Sequence, residues 1–236
     1  MQLFYTDSFS PDAEKIILSS KESTHVKKVL RRRVNENILL TDGKGHLIEG
    51  KIEKVLNEQL IVQVKNFQFY PYPSENLIVV ALAIIRPNRL DWAVEKLTEL
   101  GIFKIVPLVC HYNTYHNVKM EHLRKISISA IKQSNQFYLP QIAPISQFHE
   151  WVQSIEHEEG TKIIANIHDD SNKSLKKMRR IKGKVYIAIG PEGGFHPDEL
   201  KMSSAHQFQH IGLGKTILRT ETAAVVAVSK LKMFLE

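Results

Sequence analysis

The chain of 236 residues contains one cysteine, Cys110, and no apolar run long enough to cross a membrane. A single cysteine excludes an internal disulfide bond, which fits a reducing compartment. The longest apolar run, residues 77–85, has the length of a strand. The first residues also lack the basic segment followed by an apolar segment that is typical of a signal peptide. These absences predict a cytoplasmic protein without a membrane segment.

Two signatures of nucleotide binding are missing as well. The segment GLGKT at 212–216 resembles the end of a P-loop, which needs a further glycine five positions before the glycine of its Gly-Lys pair. Gln209 occupies that position. Neither glycine-rich loop of the chain has the G-x-G-x-x-G spacing of a dinucleotide-binding turn. Nucleotide hydrolysis and redox chemistry with a dinucleotide are therefore disfavoured.

The eleven histidines raise the question of a metal site. His111, His116 and His122 lie near Cys110, but their intervals fit neither a zinc ribbon nor the H-E-x-x-H motif. These histidines are interpreted as polar residues of the surface or of strand ends, and no metal site is predicted. No local signature such as G-x-S-x-G indicates a Ser–His–Asp triad either.

Positive charge is in excess, with a formal net charge of +7. It is concentrated in two runs, HVKKVLRRR at 25–33 and KKMRRIKGK at 176–184. Such runs occur on solvated helix faces and also on surfaces that bind polyanions. Both interpretations stay open when each run is considered alone.

The pattern of apolar residues divides the chain into two domains. Residues 1–70 contain short strands, one helix and a DGKG turn at 42–45 that is typical of a hairpin, and they predict a small β-barrel. The segment FYPYPSEN at 69–76 carries two prolines and marks the boundary. In residues 71–236 strands alternate with helices, which predicts an α/β domain with a mostly parallel sheet.

Two glycine-rich loops follow late strands of the second domain. VYIAIGPEGGFHPDEL at 185–200 places adjacent glycines at the carboxyl end of an apolar strand, where open α/β sheets bind ligands. A connecting turn would need only one glycine, so this pattern favours a binding loop over a connector. The second loop, at 212–219, leads into Arg219-Thr220-Glu221-Thr222 at the start of a helix. Glu221 suits the positive end of the helix dipole, yet the cluster also has the composition of a site.

These segments resemble the SPOUT-class methyltransferases, and in particular the 16S ribosomal RNA uridine-N3 methyltransferase family. HVKKVLRRRVNENILLTDGKG, VEKLTELGI, AIKQSNQFYLPQI, IGPEGGF and LGKTILRTETAA occur in the family's order and cover nearly the whole chain. The resemblance implies a trefoil-knotted α/β domain (71–236) behind a PUA-like β-barrel (1–70). It also implies S-adenosylmethionine as cofactor and an obligate homodimer with active sites at the subunit junction. Periodicity alone would not indicate a knot, because knots are almost absent from proteins.

The resemblance assigns roles to individual residues. Arg219 would stabilise the uracil or a nearby phosphate, and Glu221 is a candidate for the base that removes the N3 proton, with helix capping as its alternative role. The cofactor would contact Asn166, Ile189, Gly190, Pro191, Glu192, Gly193, Gly194, Leu213, Gly214, Ile217, Leu218, Arg219, Thr220 and Thr222. The backbone of 16S ribosomal RNA would contact Lys27, Lys28, Arg31, Arg32 and Arg33.

One segment departs from the family pattern. Where relatives carry a Ser-Glu-Arg or Glu-Arg-Ser element, this chain reads CHYNTYHNVK at 110–119, so His116, Lys119 or the partner subunit would have to replace the arginine. Two other functions stay open, namely methylation of another RNA and RNA binding without catalysis.

The last predicted helix is unusually apolar at its start. Its segment AAVVAV at 223–228 offers no polar face and is expected to be buried on both sides. One side would pack on the chain's own sheet. The other would pack on a second copy of the chain or, alternatively, between the two domains of one chain.

Overall fold

The described residues form two sheets, and each sheet belongs to its own compact unit. The structure, a computed structural model, describes residues 2–24, 26, 33–56, 59–73, 75–166, 181 and 183–235. One unit comprises Met1–Tyr72 and Ile128–Leu139, and the other comprises Pro73–Ser127 and Pro140–Glu236. We call them the N-terminal unit and the C-terminal unit.

The N-terminal unit contains β1 (Leu3–Tyr5), β2 (Lys15–Leu18), α1 (Ser20–Thr24), β3 (Asn37–Thr41), β4 (His46–Val55) and β5 (Leu60–Phe69). Its strands form one sheet in the order β1-β3-β4-β5-β2. β1 pairs with β3 in parallel, and the other neighbouring strands are antiparallel. Apolar residues that alternate along the strands, such as Ile38, Leu40, Ile48 and Ile52, point into its core.

The DGKG turn joins β3 to β4 as a hairpin, which confirms the prediction from the sequence. Thr41 pairs with Leu47 next to the turn. Gly43 and Gly45 have φ angles of 69° and 106°. These angles lie in the left-handed region, which glycine adopts without the steric cost that a Cβ imposes. The turn therefore depends on its two glycines.

The division into units differs from the predicted domains, 1–70 and 71–236, in one main respect. Residues 128–139, which the sequence placed in the second domain, belong to the N-terminal unit. Their backbone bonds to the hairpin turn: Gly45 N donates to Phe137 O, and Leu139 N donates to Gly43 O. Tyr138 Oη also donates to Tyr70 O over 2.6 Å. Contacts between such distant segments leave no local pattern in the sequence, so sequence analysis alone does not reveal them.

The C-terminal unit is an α/β structure. It contains β6 (Ile78–Ala83), α2 (Pro87–Glu99), β7 (Lys104–Val109), β8 (Gln141–Ile142), β9 (Ser146–Gln147), α4 (Phe148–Ser154), β10 (Thr161–Ala165), β11 (Val185–Ile189), α5 (Pro197–Ala205), β12 (Gln209–Ile211) and α6 (Thr220–Leu235). Helix α3 (Met120–Ser134) begins in this unit, and its last residues belong to the N-terminal unit.

The sheet of the C-terminal unit is parallel and covered on both faces. The strand order is β12-β10-β11-β6-β7-β8, with β9 also on β7, and these pairings are parallel. Side chains of α2 and α6 pack on one face, while α4 and α5 pack on the other. Every residue of β6 is buried, as the apolar run in the sequence predicts for a central strand.

A buried ion pair in the N-terminal unit gives a test of its stability. Lys132 Nζ lies 2.5 Å from Glu22 Oε1, and the two side chains are only 17% and 7% exposed. Glu22 Oε2 is buried and has no hydrogen-bond partner among the described residues. Lys132→Met should lower the free energy of unfolding by about 3 kcal/mol, because the Glu22 carboxylate would stay buried without its cation. Urea unfolding followed by circular dichroism measures the loss.

Lys125→Met is the matched control on the same helix. Lys125 pairs with Glu121 at the surface, where both side chains are more than half exposed. Water screens such a pair, so this variant should unfold almost like the wild type. Equal unfolding curves for the two variants would contradict the assignment of a structural role to Lys132.

Candidate functional site

Five parallel strands of the C-terminal unit end at one edge of its sheet. The register aligns Ile189 with Leu82, Ala83 with Leu108, and Ala165 with both Ile189 and Ile211. The segments that follow these strands therefore start side by side. In open α/β sheets this edge is where ligands bind.

The two glycine-rich loops are joined directly at this edge. Thr220 Oγ1, at the first residue of α6, donates a 2.9 Å hydrogen bond to Gly190 O at the start of the first loop. Asn166 N donates to Ile211 O, which holds the end of β10 against the start of the second loop. The structure thus brings together the segments to which the sequence assigned the cofactor. Of the remaining predicted residues, Leu213 packs against the core while Ile217 is 78% exposed.

Three glycines of the first loop tolerate a side chain poorly, and the structural reason differs among them. A Cβ on Gly190 would lie 2.9 Å from the Phe195 ring, and one on Gly193 would lie 3.0 Å from Tyr112 Cβ. Gly194 has open space around it but a φ angle of 74°. Its amide donates to Pro191 O and closes the turn. Close approach therefore favours glycine at the first two positions, and backbone conformation favours it at the third.

An arginine that sequence analysis did not single out links both loops. Arg89, in the first turn of α2, donates from Nη1 to Glu192 Oε1 over 3.2 Å. Its Nε lies 3.8 Å from Glu221 Oε1. The arginine is thus placed between a carboxylate of the first loop and one from the first turn of α6. Arg89 is more than 100 positions from either carboxylate in the chain, so no local motif could have revealed the cluster.

Glu221 is the buried carboxylate of this cluster. The residue is 8% exposed, and its Oε2 has no hydrogen-bond partner among the described residues. A buried polar atom without a partner is costly, so native proteins usually supply one. Beside two loops at the carboxyl edge of the sheet, this oxygen can accept a hydrogen bond from a ligand that carries N–H or O–H groups.

Arg219 precedes Glu221 and is exposed. Its carbonyl accepts the first-turn hydrogen bond from Ala223 N. Its guanidinium forms no ion pair with any other residue that the structure describes, unlike that of Arg89. A free guanidinium beside a helix N-terminus can bind an anion or a developing negative charge.

The atypical CHYNTYH segment forms an ordered turn after β7. Asn113 is buried, and its Nδ2 donates to Ile84 O and Tyr115 O. Glu199 accepts from His111 N and from His196 N at 2.9 Å and 2.8 Å. The rings of His111 and His196 are consequently only 4.3 Å apart, next to Tyr112, which packs on Gly193. The segment is therefore bound to the first glycine loop and to α5.

A groove of about 520 Å³ lies beside this turn, lined in part by Cys110, His111, His116, His149 and His196. Cys110 is buried, and this burial, assisted by the Glu199 carboxylate, raises the pKa of its thiol. Cys110 is therefore a poor nucleophile. Among the described residues, no group of three His, Cys, Asp or Glu side chains is arranged to hold a metal ion.

The predicted RNA contacts fall largely outside the described residues. Lys27, Lys28, Arg31 and Arg32 lie outside them, and Arg33 is exposed. Arg33 N donates to Glu36 Oε1 over 3.1 Å. In the part of the chain that the structure describes, no helix has both the length and the apolar character that a membrane span requires.

Comparison with known proteins identifies two family domains in the chain. An RNA methyltransferase domain matches residues 73–232, and an RNA methyltransferase PUA domain matches residues 18–65. Ribosomal RNA small subunit methyltransferase E of Rickettsia conorii is 30% identical, over 97% of this chain and 94% of its own.

Solved structures extend the similarity to the fold. Ribosomal RNA small subunit methyltransferase E of Neisseria gonorrhoeae, bound to S-adenosyl methionine, has a TM-score of 0.89 at 28% identity, covering 99% of this chain and 97% of that one. A putative methyltransferase of Legionella pneumophila, in complex with the same cofactor, has a TM-score of 0.88 at 28% identity and covers 98% and 96% of the two chains.

Proposed function

Because the chain belongs to the RNA methyltransferase family that includes ribosomal RNA small subunit methyltransferase E, we propose that it methylates N3 of one uridine in the decoding region of 16S ribosomal RNA. S-adenosylmethionine is the proposed methyl donor, and the small ribosomal subunit in the cytoplasm is the proposed substrate. The relatives that are solved with this cofactor support its assignment.

One observation carries the proposal: the two glycine-rich loops meet at the carboxyl edge of the sheet, joined by Thr220 and Gly190, with the buried Oε2 of Glu221 beside them. The sulfonium cofactor supplies an electrophilic methyl group when bound. Its ribose hydroxyls and amino groups are donors, which suits an edge that offers backbone carbonyls and Glu221 Oε2. We therefore propose the predicted set, from Asn166 through Thr222, as the cofactor site, and within it we assign Arg219 chiefly to the RNA.

The residues of this edge have distinct roles in the proposed reaction. Methyl transfer is an in-line displacement, so holding the two reactants in line supplies much of the rate. Uracil N3–H is weakly acidic, and Arg219 stabilises the negative charge that develops as its proton leaves. Glu221 Oε2 accepts either that proton or a hydrogen bond from a donor group of the cofactor. Arg89 holds Glu192 and Glu221 in position.

We further propose a homodimer that completes each active site and a trefoil knot in the C-terminal unit. The family resemblance supports the knot. Helix α6 supports the dimer: Ala224, Ala227, Val228 and Leu231 are fully buried on its own unit, while Val225 and Val226 on other sides are only partly buried in the single chain. The expectation of burial on both sides is thus unmet within one chain, which leaves an apolar surface for a second copy. Residues 1–70 are proposed as the RNA-binding domain.

Mass spectrometry of 16S ribosomal RNA from a deletion strain tests the function. The strain should lack 3-methyluridine, and the plasmid-borne wild-type gene should restore it. Retention of the modification in the deletion strain would refute the site assignment. A methyl group lost from another RNA in that strain would instead favour the alternative substrate.

Calorimetry with S-adenosylmethionine separates an enzyme from a binding module. The enzyme should release or absorb heat and gain thermal stability at saturating cofactor. Absence of both signals, together with retained RNA binding, would favour a module without catalysis.

Substitution of Gly194 by valine should weaken cofactor binding by about 10-fold or more, because a branched residue at a φ of 74° forces the loop out of shape. Gly193→Val should have a similar effect by pressing against Tyr112. Calorimetric titration measures the affinity, and circular dichroism checks the fold. Gly183→Val is the matched control, since Gly183 also has a positive φ and open surroundings but lies outside both loops. Unchanged affinity in a folded double variant would remove the loop from the proposed cofactor site.

A further inference from the structure

Four aromatic side chains form a cluster at one end of the sheet in the N-terminal unit. His46 lies at the start of β4, and Phe67 and Phe69 lie at the end of β5. The ring centroid of His46 is 5.0 Å from that of Phe69 and 5.9 Å from that of Phe67. Phe9 packs edge-on against His46 and Phe67 at 5.1 Å and 5.3 Å. We call these four residues the aromatic face.

Strand register explains why these side chains share one side of the sheet. His46 pairs with Phe69 and Ile48 pairs with Phe67, and directly paired residues point to the same face. Ile48 is fully buried, so this side of the hairpin continues into the core. β2 covers β5 only from Leu60 to Gln63, and the end of β5 extends past it.

The aromatic face is nevertheless open to solvent. Phe67 is 37% exposed and Phe69 is 53% exposed. Both rings lie next to the buried core, and both remain accessible to solvent. A cluster of exposed rings of this kind marks an interaction surface more often than a single exposed apolar residue does.

Asp42 holds the histidine of the face in place. Its Oδ2 lies 2.7 Å from His46 Nδ1, and its Oδ1 accepts from Lys44 N and His46 N. The carboxylate is 5% exposed, and both of its oxygens are engaged in these contacts. The ring is therefore fixed before any ligand arrives, which reduces the entropy lost on binding.

Charges of both signs lie near the face in the sequence: exposed Asp7 and Asp12 lie within three residues of Phe9, while two cations lie on the hairpin and the strand that carry the other three rings. Lys44 at the tip of the hairpin and Lys65 on β5 are exposed. The carboxylate of Asp42 is buried and paired, and Glu49 extends from the opposite side of β4 because its position alternates with those of His46 and Ile48. Exposed rings combined with cations are the chemistry that binds single-stranded nucleic acid, through base stacking and phosphate contacts.

We propose that the aromatic face binds single-stranded RNA by stacking unpaired bases on Phe67, Phe69 and His46. This inference rests on the proposed function for the identity of the polymer. It adds a second RNA contact, made by residues other than those of the methyl-transfer edge and of the basic run at 25–33. Stacking tolerates any base, so the face would anchor the RNA strand and leave the choice of uridine to the catalytic site.

Binding of a fluorescein-labelled twelve-nucleotide oligouridine, measured by anisotropy, tests the proposal. The double variant Phe67→Ala/Phe69→Ala should bind at least about 10-fold more weakly than the wild type. Phe69→Trp should bind within about threefold of the wild type, because its indole ring still stacks. Phe69→Leu should lose affinity, because it has no ring on which a base can stack. Leucine keeps the apolar area without the aromatic face, so this pair separates stacking from general apolar contact.

Salt dependence separates stacking from charge. The slope of log affinity against log salt should be unchanged in the phenylalanine variants and should fall by about 0.7 in Lys44→Ala, which loses one phosphate contact. Ile17→Ala is the matched control, since Ile17 is 53% exposed in the same unit but lies outside the cluster. It should bind the oligonucleotide like the wild type. Cofactor calorimetry on each variant checks that the protein is folded.

Equal affinities of the wild type and the folded double variant would overturn the proposal. So would a change in sedimentation of the double variant with unchanged RNA affinity, because the face would then be a contact between copies of the chain. The proposed function fails separately: oligouridine binding does not require methylation, and a wild type that binds it without methylating 16S ribosomal RNA would refute only the function.

Discussion

Replacement of Arg219 by alanine should lower the turnover number for 16S ribosomal RNA by about 100-fold or more while changing cofactor affinity little. The side chain is exposed and forms no ion pair with another described residue, so its removal should leave the fold intact. It immediately precedes α6, and in the proposed reaction it stabilises the negative charge that develops on uracil. Single-turnover methylation with purified small subunits measures the chemical step, and calorimetry measures cofactor binding.

Two further variants give this experiment its controls. Lys215→Ala removes an exposed cation from the same loop and should retain nearly full turnover. Arg219→Lys keeps the charge but loses the planar fork, and it should recover part of the rate. If Arg219→Ala loses cofactor affinity as strongly as turnover, the residue belongs to the wall of the cofactor site and has no specific role in the reaction.

Introduction of a charge at Val226 should convert the proposed dimer into folded, inactive monomers. α6 already buries Ala224, Ala227, Val228 and Leu231 completely in its own unit, and Val226 is only partly covered. Farther along the helix, Met233 is 78% exposed. An aspartate at 226 would place an unpaired carboxylate in an apolar interface at a cost of several kcal/mol, on the order of the stability of the interface itself. Sedimentation velocity reports the mass, and the methylation assay reports activity.

Gln153→Asp introduces the same charge at an exposed position of α4 and should leave both mass and activity unchanged. Inactivity of Val226→Asp supports the dimer proposal only if circular dichroism shows that the variant is folded. A wild type that sediments as a monomer at micromolar concentration, and methylates RNA normally, would rule out the dimer proposal.

Elements with a long and regular apolar pattern are predictable from the sequence. The apolar run at 77–85 contains the fully buried strand β6, and the stripe that includes Leu90, Val94 and Leu97 packs α2 on the sheet. Gly101 follows α2 with a φ angle of 67°, as expected for a glycine that ends a helix. These features depend on neighbouring residues, so the local sequence carries their signal.

Short elements escape the same reasoning. Helix α4 spans seven residues and strand β1 spans three, and neither is long enough for its periodicity to be recognised. Residues 128–139 are a different case. The end of α3 is predictable as a helix, but its membership in the N-terminal unit depends on bonds to Gly43, Gly45 and Tyr70.

The candidate site likewise combines features that the sequence determines with features that only the tertiary structure determines. The sequence by itself determined where the two glycine-rich loops lie and that Arg219 and Glu221 follow the second of them, because glycine spacing and helix starts are written in adjacent residues. Only the tertiary structure decided that Thr220 bonds to Gly190, that Arg89 joins Glu192 to Glu221, and that Glu221 Oε2 is buried without a partner. The partners and burial of a side chain depend on which distant segments pack around it, and that depends on the parallel sheet that brings the strand ends together.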